Sequence, residues 1–128
     1  MSQYINENAV WRYNDIELEL DISDAETIEL YEKTFEQMQK EIKTIPTTGR
    51  KSEIVVAYCK TLRNVFDRLF GDGTSDKMFG TRNNATQITS AYESFLEFVS
   101  AQNKELDNIQ NRIVSRYSPN RAQRRAAK

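Results

Sequence analysis

One stretch constrains this chain more than any other: residues 85–114, ATQITSAYESFLEFVSAQNKELDNIQNRIV. Ile88, Tyr92, Phe95, Val99, Gln102, Leu106, Ile109 and Ile113 recur at steps of four and three. Those steps keep one stripe on one face of an α-helix. No glycine or proline interrupts it. A helix of about 30 residues runs roughly 45 Å at 1.5 Å per residue, longer than a small core needs. The apolar spacing is close to 3.5, the period of a seam against another helix, in the same chain or in a second copy. Gln102 interrupts the seam, either as a position facing solvent in part or as a polar register-setting position in an oligomer. Phe95, Leu96, Phe98 and Val99 make the helix apolar on two sides near its middle, one for the chain's own helices and one for a partner.

At 128 residues the chain is one domain by size. There is no run of 18 apolar residues to span a membrane and no secretory signal pattern in MSQYINENAV. The single cysteine, Cys59, allows no internal disulfide and fits a reducing cytoplasm. It borders an apolar helix face, the place of a small buried hydrophobe. The complete absence of histidine removes the commonest general base and metal ligand. Metal sites and Ser–His or Cys–His catalysis are accordingly disfavoured, and no cofactor is expected.

Charge is uneven. Residues 1–45 carry eleven acids and four bases, net −7; residues 46–111 balance at eight each; residues 112–128 carry six bases and no acid. Such polarity suits an interaction tail, or acidic and basic ends that meet in an oligomer.

Residues 9–22 read as a β-hairpin. Ile16, Leu18, Leu20 and Ile22 alternate with Glu17, Glu19 and Asp21, and Asn14-Asp15 is the turn. A lone hairpin is marginal in water, so it must pack on helices or on another copy. The first helix spans Asp24 to about Thr44, with Ser23 and Glu26 as a capping box, and Pro46 stops it. The second runs from about Lys51 to Phe70 with Ser52 as a possible cap, and its broad apolar face places it at the centre of the core. Residues 71–84 read as an irregular connection. Gly71 ends the second helix, Met78-Phe79 tucks back as an apolar plug, and Asn83 or Asn84 caps the third helix. The connection lacks the Gly-Lys-Ser/Thr of a phosphate loop, and Asp72 and Asp76 lack the terminal glutamate of a calcium loop. The third helix reaches about Tyr117. The expected architecture is mainly α (α+β): an N-terminal hairpin and a three-helix arrangement over residues 1–117, then a basic tail, 118–128, expected to be disordered until it meets an acidic partner.

The tail, Tyr117-Ser-Pro-Asn-Arg-Ala-Gln-Arg-Arg125, resembles the closing segment of tail assembly chaperones of long-tailed bacteriophages and prophages. The stretch Phe70-Gly71-Asp72-Gly73-Thr74…Lys77-Met78-Phe79-Gly80, followed by a long aromatic-containing helix, is also similar to proteins of that group. The resemblance covers about two-thirds of the chain, from the second helix onward. It implies a non-enzymatic protein of the bacterial host cytoplasm that coats the tape measure protein and delivers it to tail tube subunits. It carries over no catalytic residues.

From the residues themselves, a chain of long amphipathic helices is suited to binding protein. Tyr92, Phe95, Val99 and Leu106 are the expected cradle for an amphipathic partner, with Arg121, Arg124 and Arg125 steering it. The long helix and the marginal hairpin also point to a homo-oligomer. Two other readings stand beside this one. A structural tail or connector component would self-oligomerise through the hairpin and the long helix. A nucleic-acid-binding accessory protein would use the basic tail, but the remainder of the chain is net −7 and repels phosphate.

Overall fold

The computed structural model describes residues 6–116. A short 3-10 turn, Glu7–Ala9, leads into strands β1 (Val10–Tyr13) and β2 (Ile16–Glu19). Helices α1 (Ala25–Ile42), α2 (Lys51–Phe70), α3 (Thr74–Phe79) and α4 (Ala85–Arg116) follow. The fold is a mainly helical α+β arrangement with an N-terminal antiparallel hairpin. The expected 118–128 tail lies outside the described residues, and with it Arg121, Arg124 and Arg125.

The hairpin has the expected turn. Tyr13 pairs with Ile16, and Asn14 between them takes a left-handed φ of 52°, which asparagine tolerates. Trp11 pairs with Leu18 on the apolar face, while Arg12 pairs with Glu17 on the wet one. The Leu20 amide donates to the Ala9 carbonyl at 2.8 Å and carries the ladder one step further. Leu20 and Ile22 are buried, so the alternation continues past the end of β2.

The hairpin's marginal stability is resolved by packing on helices. Trp11 stacks on Phe66 of α2 at 5.7 Å and meets Phe95 of α4 edge-on at 5.4 Å. Phe66 and Phe95 meet each other at 5.8 Å, also edge-on. These are favoured aromatic geometries, each worth about 0.5–1.5 kcal/mol beyond area burial. The Trp11 indole N–H donates to Ser94 Oγ at 3.2 Å. Leu62, Val65 and Phe66 are all at or below 1% exposure, so α2 is central, as its apolar breadth predicts. Cys59 is fully buried beside them.

Several local expectations need correction. The capping box at Ser23 and Glu26 does not form. The Asp21 carboxylate accepts both the Ser23 amide and the Ser23 hydroxyl, drawing that side chain back, and the helix starts at Ala25 with Asp24 in the cap position. Nor does Ser52 cap α2, whose first residue is Lys51 and whose cap position is Arg50. The α1 helix ends at Ile42, and Thr44 and Ile45 continue as hydrogen-bonded turns.

The connection 71–84 is not wholly irregular. It contains α3, which makes four helices among the described residues rather than three. Asp67, one turn before the end of α2, caps α3: its carboxylate accepts the Ser75 amide at 2.8 Å and the Ser75 hydroxyl at 3.0 Å. Met78 and Phe79 are buried and form the expected plug. Asn84 caps α4 by accepting the Gln87 amide at 3.0 Å.

Candidate interaction surface

The α4 helix has two halves with different surroundings. From Ile88 to Gln102 its seam is covered by the chain itself. Ile88, Ala91, Phe95, Val99 and Gln102 are buried, whereas after Gln102 no residue of α4 is. The last fourteen residues, Asn103–Arg116, therefore project for about 21 Å at 1.5 Å per residue.

Gln102 marks the boundary. Its side-chain Oε1 accepts the Ile22 amide at 3.1 Å, and its Nε2 donates to the Leu20 carbonyl at 2.7 Å. It is 7% exposed. The expectation that it faces solvent in part does not hold. It is not half in solvent, and its amide is engaged within the chain, where it satisfies backbone groups that β2 leaves unpaired as it exits the hairpin.

The expected cradle divides along the same line. Phe95 and Val99, at 0% and 1% exposure, are core residues, and Trp11, Phe66 and Phe70 close off Phe95. No partner reaches them while the chain is folded. Tyr92 is half-buried between α4 and α1; its hydroxyl lies 3.4 Å from Met38 Sδ and its ring 6.3 Å from Phe35. Burial there, with smaller contributions from Tyr31 and Tyr58, pushes the phenol up to about 12. Of the four apolar residues, only Leu106 lies on the projecting half, partly exposed. Ile109 and Ile113, which the seam pattern includes, continue the stripe, and Ile113 and Val114 are half exposed.

A cleft of about 470 Å³ lies where the projecting half leaves the body. Phe98, Gln102, Leu106 and Ile109 line one wall; Asn6, Asn8 and Ser23 line the other. The lining mixes apolar side chains with amides, a hydroxyl and the Glu105 carboxylate, a setting that accepts an aliphatic side chain and the backbone around it. Two charges flank the stripe: Glu105 and Arg112 lie on one side of it, 3.5 Å apart and both more than half exposed.

Two polar clusters that the sequence reading missed hold the opposite side of the body. Arg63 of α2 is 11% exposed and gathers the 71–84 connection around its guanidinium. It donates to Asn83 Oδ1 at 3.0 Å, to the Gly80 carbonyl at 2.9 Å and to the Arg82 carbonyl, and it pairs with Asp76 at 3.4 Å over the Phe79 ring. Glu41 of α1 receives Asn64 at 2.9 Å and Arg68 at 2.7 Å from α2. Burial pushes the Glu41 carboxyl up, but the hydrogen bonds from Asn64 and Arg68 and the Arg68 charge together hold it below its ordinary value. Both clusters fasten helices to one another, and Glu41 and Asn64 also line a cleft of about 320 Å³ with Thr44, Lys60 and Thr61. Among the described residues no group of three His, Cys, Asp or Glu stands together as a metal site, and no helix is long and apolar enough to cross a membrane.

The fold thus defines a small α+β protein with a closed core and one projecting helix. The chain belongs to the family of unknown function DUF6673, whose model matches residues 14–128. Neither a curated protein nor a solved structure matches it.

Proposed function

We propose that this protein is a non-enzymatic tail assembly chaperone of a long-tailed bacteriophage or prophage. It binds the tape measure protein in the cytoplasm of the bacterial host and promotes assembly of tail tube subunits around it. The observation that carries this reading is the projecting half of α4. Leu106, Ile109 and Ile113 form an apolar stripe that the described residues leave partly open, with a cleft at its base. An amphipathic helix of a long client lies along such a stripe by its own i, i+3, i+4 residues. The resemblance of Tyr117–Arg125 and Phe70–Gly80 to that chaperone group names the client. The arginines Arg121, Arg124 and Arg125 come after the projecting helix in sequence and add positive charge to that end of the chain.

The test is co-expression with a segment of the tape measure protein from the same genome, read as client solubility and co-elution on sizing with light scattering. Three forms are compared: the full chain, a chain stopped at Arg116, and L106D/I113D. The client is expected to be soluble and to co-elute with the full chain, and to precipitate beside L106D/I113D. If the client precipitates beside a full chain that elutes as a closed oligomer, the protein is a structural tail component instead. Retardation of labelled DNA or RNA at low salt would move it to the nucleic-acid class.

A further inference from the structure

We propose that the cleft between the end of β2 and the start of α1 receives the basic segment 117–128 of a second copy of this chain, so that copies join head to tail. This rests on charge and reach within the chain and stands whether or not the client is a tape measure protein.

The cleft has a volume of about 620 Å³. Glu19 at the end of β2, Asp21, and Asp24 in the cap position of α1 line it, and no lysine or arginine does. The ion pairs of the described residues engage other carboxylates: Glu17 with Arg12, Glu29 with Lys33, Glu41 with Arg68, Asp76 with Arg63 and Glu105 with Arg112. Three carboxylates are thus gathered without a cation among the described residues. Leu20 and Leu69, both buried, and Leu30, 41% exposed, supply the apolar part of the lining. Such a lining suits long basic side chains, whose methylenes lie on leucine while their head groups meet carboxylates.

The chain carries the matching segment at its other end. Arg121, Arg124, Arg125 and Lys128 occupy residues 117–128 with no acid between them. Steps of three, one and three fall on one face of a helix, so a segment that orders on the cleft can turn all four bases towards it.

Reach decides that the cleft belongs to a second copy. Gln102 bonds to Leu20 and Ile22, on either side of Asp21, so the projecting half of α4 starts beside the cleft. From there α4 carries the chain about 21 Å away. Arg121 lies five residues past Arg116, at most about 18 Å of extended chain, so its backbone falls short of its own cleft. Arg124 and Arg125 would return only along a chain drawn straight back over α4. The cleft of a second copy takes all four bases without a reversal. Donor segment and acceptor cleft are different surfaces, so a copy whose tail is docked still offers its own cleft to another. No residue of the cleft is on the α4 seam, and Leu106, Ile109 and Ile113 stay uncovered for a client.

Sedimentation velocity over a concentration series, with no client present, tests this. Exposed ion pairs are individually weak and screened by salt. Wild type is therefore expected to grow past the dimer at the upper end of the series in about 50 mM salt and to return to monomer in about 0.5 M. E19K/D24N neutralises the cleft and keeps the tail; R121E/R124E/R125E reverses the tail and keeps the cleft. Each alone is expected to run as a monomer. Their equimolar mixture is expected to stop at the dimer, with one intact tail in one intact cleft and nothing left to extend it. Glu19 and Asp24 are exposed, and asparagine is a good cap residue, so circular dichroism and melting temperature of E19K/D24N should match wild type. Wild type that stays monomeric at low salt overturns the head-to-tail contact. Assembly that persists in either variant, or a mixture that stays monomeric, overturns the pairing of this cleft with this tail.

Discussion

Gln102 and Ile22 lie 80 residues apart in the chain, yet the Gln102 side chain accepts the Ile22 amide hydrogen at 3.1 Å. The same side chain donates to the Leu20 carbonyl, so one amide completes the backbone on both sides of Asp21. Replacing it with alanine leaves a buried N–H and a buried C=O without partners. Each such loss costs about 1–3 kcal/mol, so Q102A is expected to be less stable by about 2–4 kcal/mol in urea unfolding. Hydrogen exchange at the Ile22 amide should accelerate in parallel. A change below about 0.5 kcal/mol would mean that water replaces the side chain without penalty.

Phe95 and Leu106 belong to one seam but to different environments, and their variants should part accordingly. F95A removes a fully buried ring that touches Trp11, Phe66 and Phe70. Its expected loss is about 3–5 kcal/mol. L106A, on the projecting half, should change stability by well under 1 kcal/mol and act on association instead. Comparable destabilisation by both would mean that the projecting half is part of the cooperative core.

Glu41 gives the stability an acid-sensitive component. Its carboxyl is held below the ordinary value of 4.5 in the folded chain. A lowered folded value means that the unfolded state takes up the proton first, so this contribution is present above about pH 4.5 and is lost as pH falls through the folded value. Wild type should therefore lose stability between neutral and strongly acid pH, and E41Q should lose less over the same interval. Parallel pH profiles for the two proteins would remove Glu41 as a source of the acid sensitivity.

Cys59 should be inert in the native state. Its thiol is fully buried, and burial pushes it above its ordinary value even though the Arg63 charge pulls the other way. The thiolate is the reactive form, so labelling by a disulfide reagent at neutral pH should be slow and should accelerate sharply once urea unfolds the chain. Labelling at the rate of a free thiol in native buffer would place Cys59 at the surface.

What could be read from the sequence follows from which interactions are local. The hairpin, α2 and α4 announce themselves by period-2 and i, i+4 patterns; α2 has the bounds read for it, α4 starts where read, and the strands end three residues short of the reading. The six-residue α3 has no room for a period, and its capping carboxylate, Asp67, comes from the preceding helix. Arg63 reads as an ordinary charged position because the carbonyls around it converge only after the connection folds back. Gln102 is visible as a polar break in an apolar seam, but its partner is backbone near residue 21, which no periodicity reveals. The same limit explains the misplaced cradle. A seam from Ile88 to Ile113 has one pattern throughout, and the pattern does not say where the chain's own cover stops.

The Trp11 packing also orders events during synthesis. The hairpin is made first, but its tryptophan needs Phe66, Phe95 and Ser94, and its exit needs Gln102. A two-stranded hairpin has little stability of its own. It therefore waits, with its acidic face in water, until the ribosome has released more than 80 further residues. Closure of the core is a late, long-range step, and a nascent chain halted before α4 would expose the aromatic face of α2 to whatever is nearby.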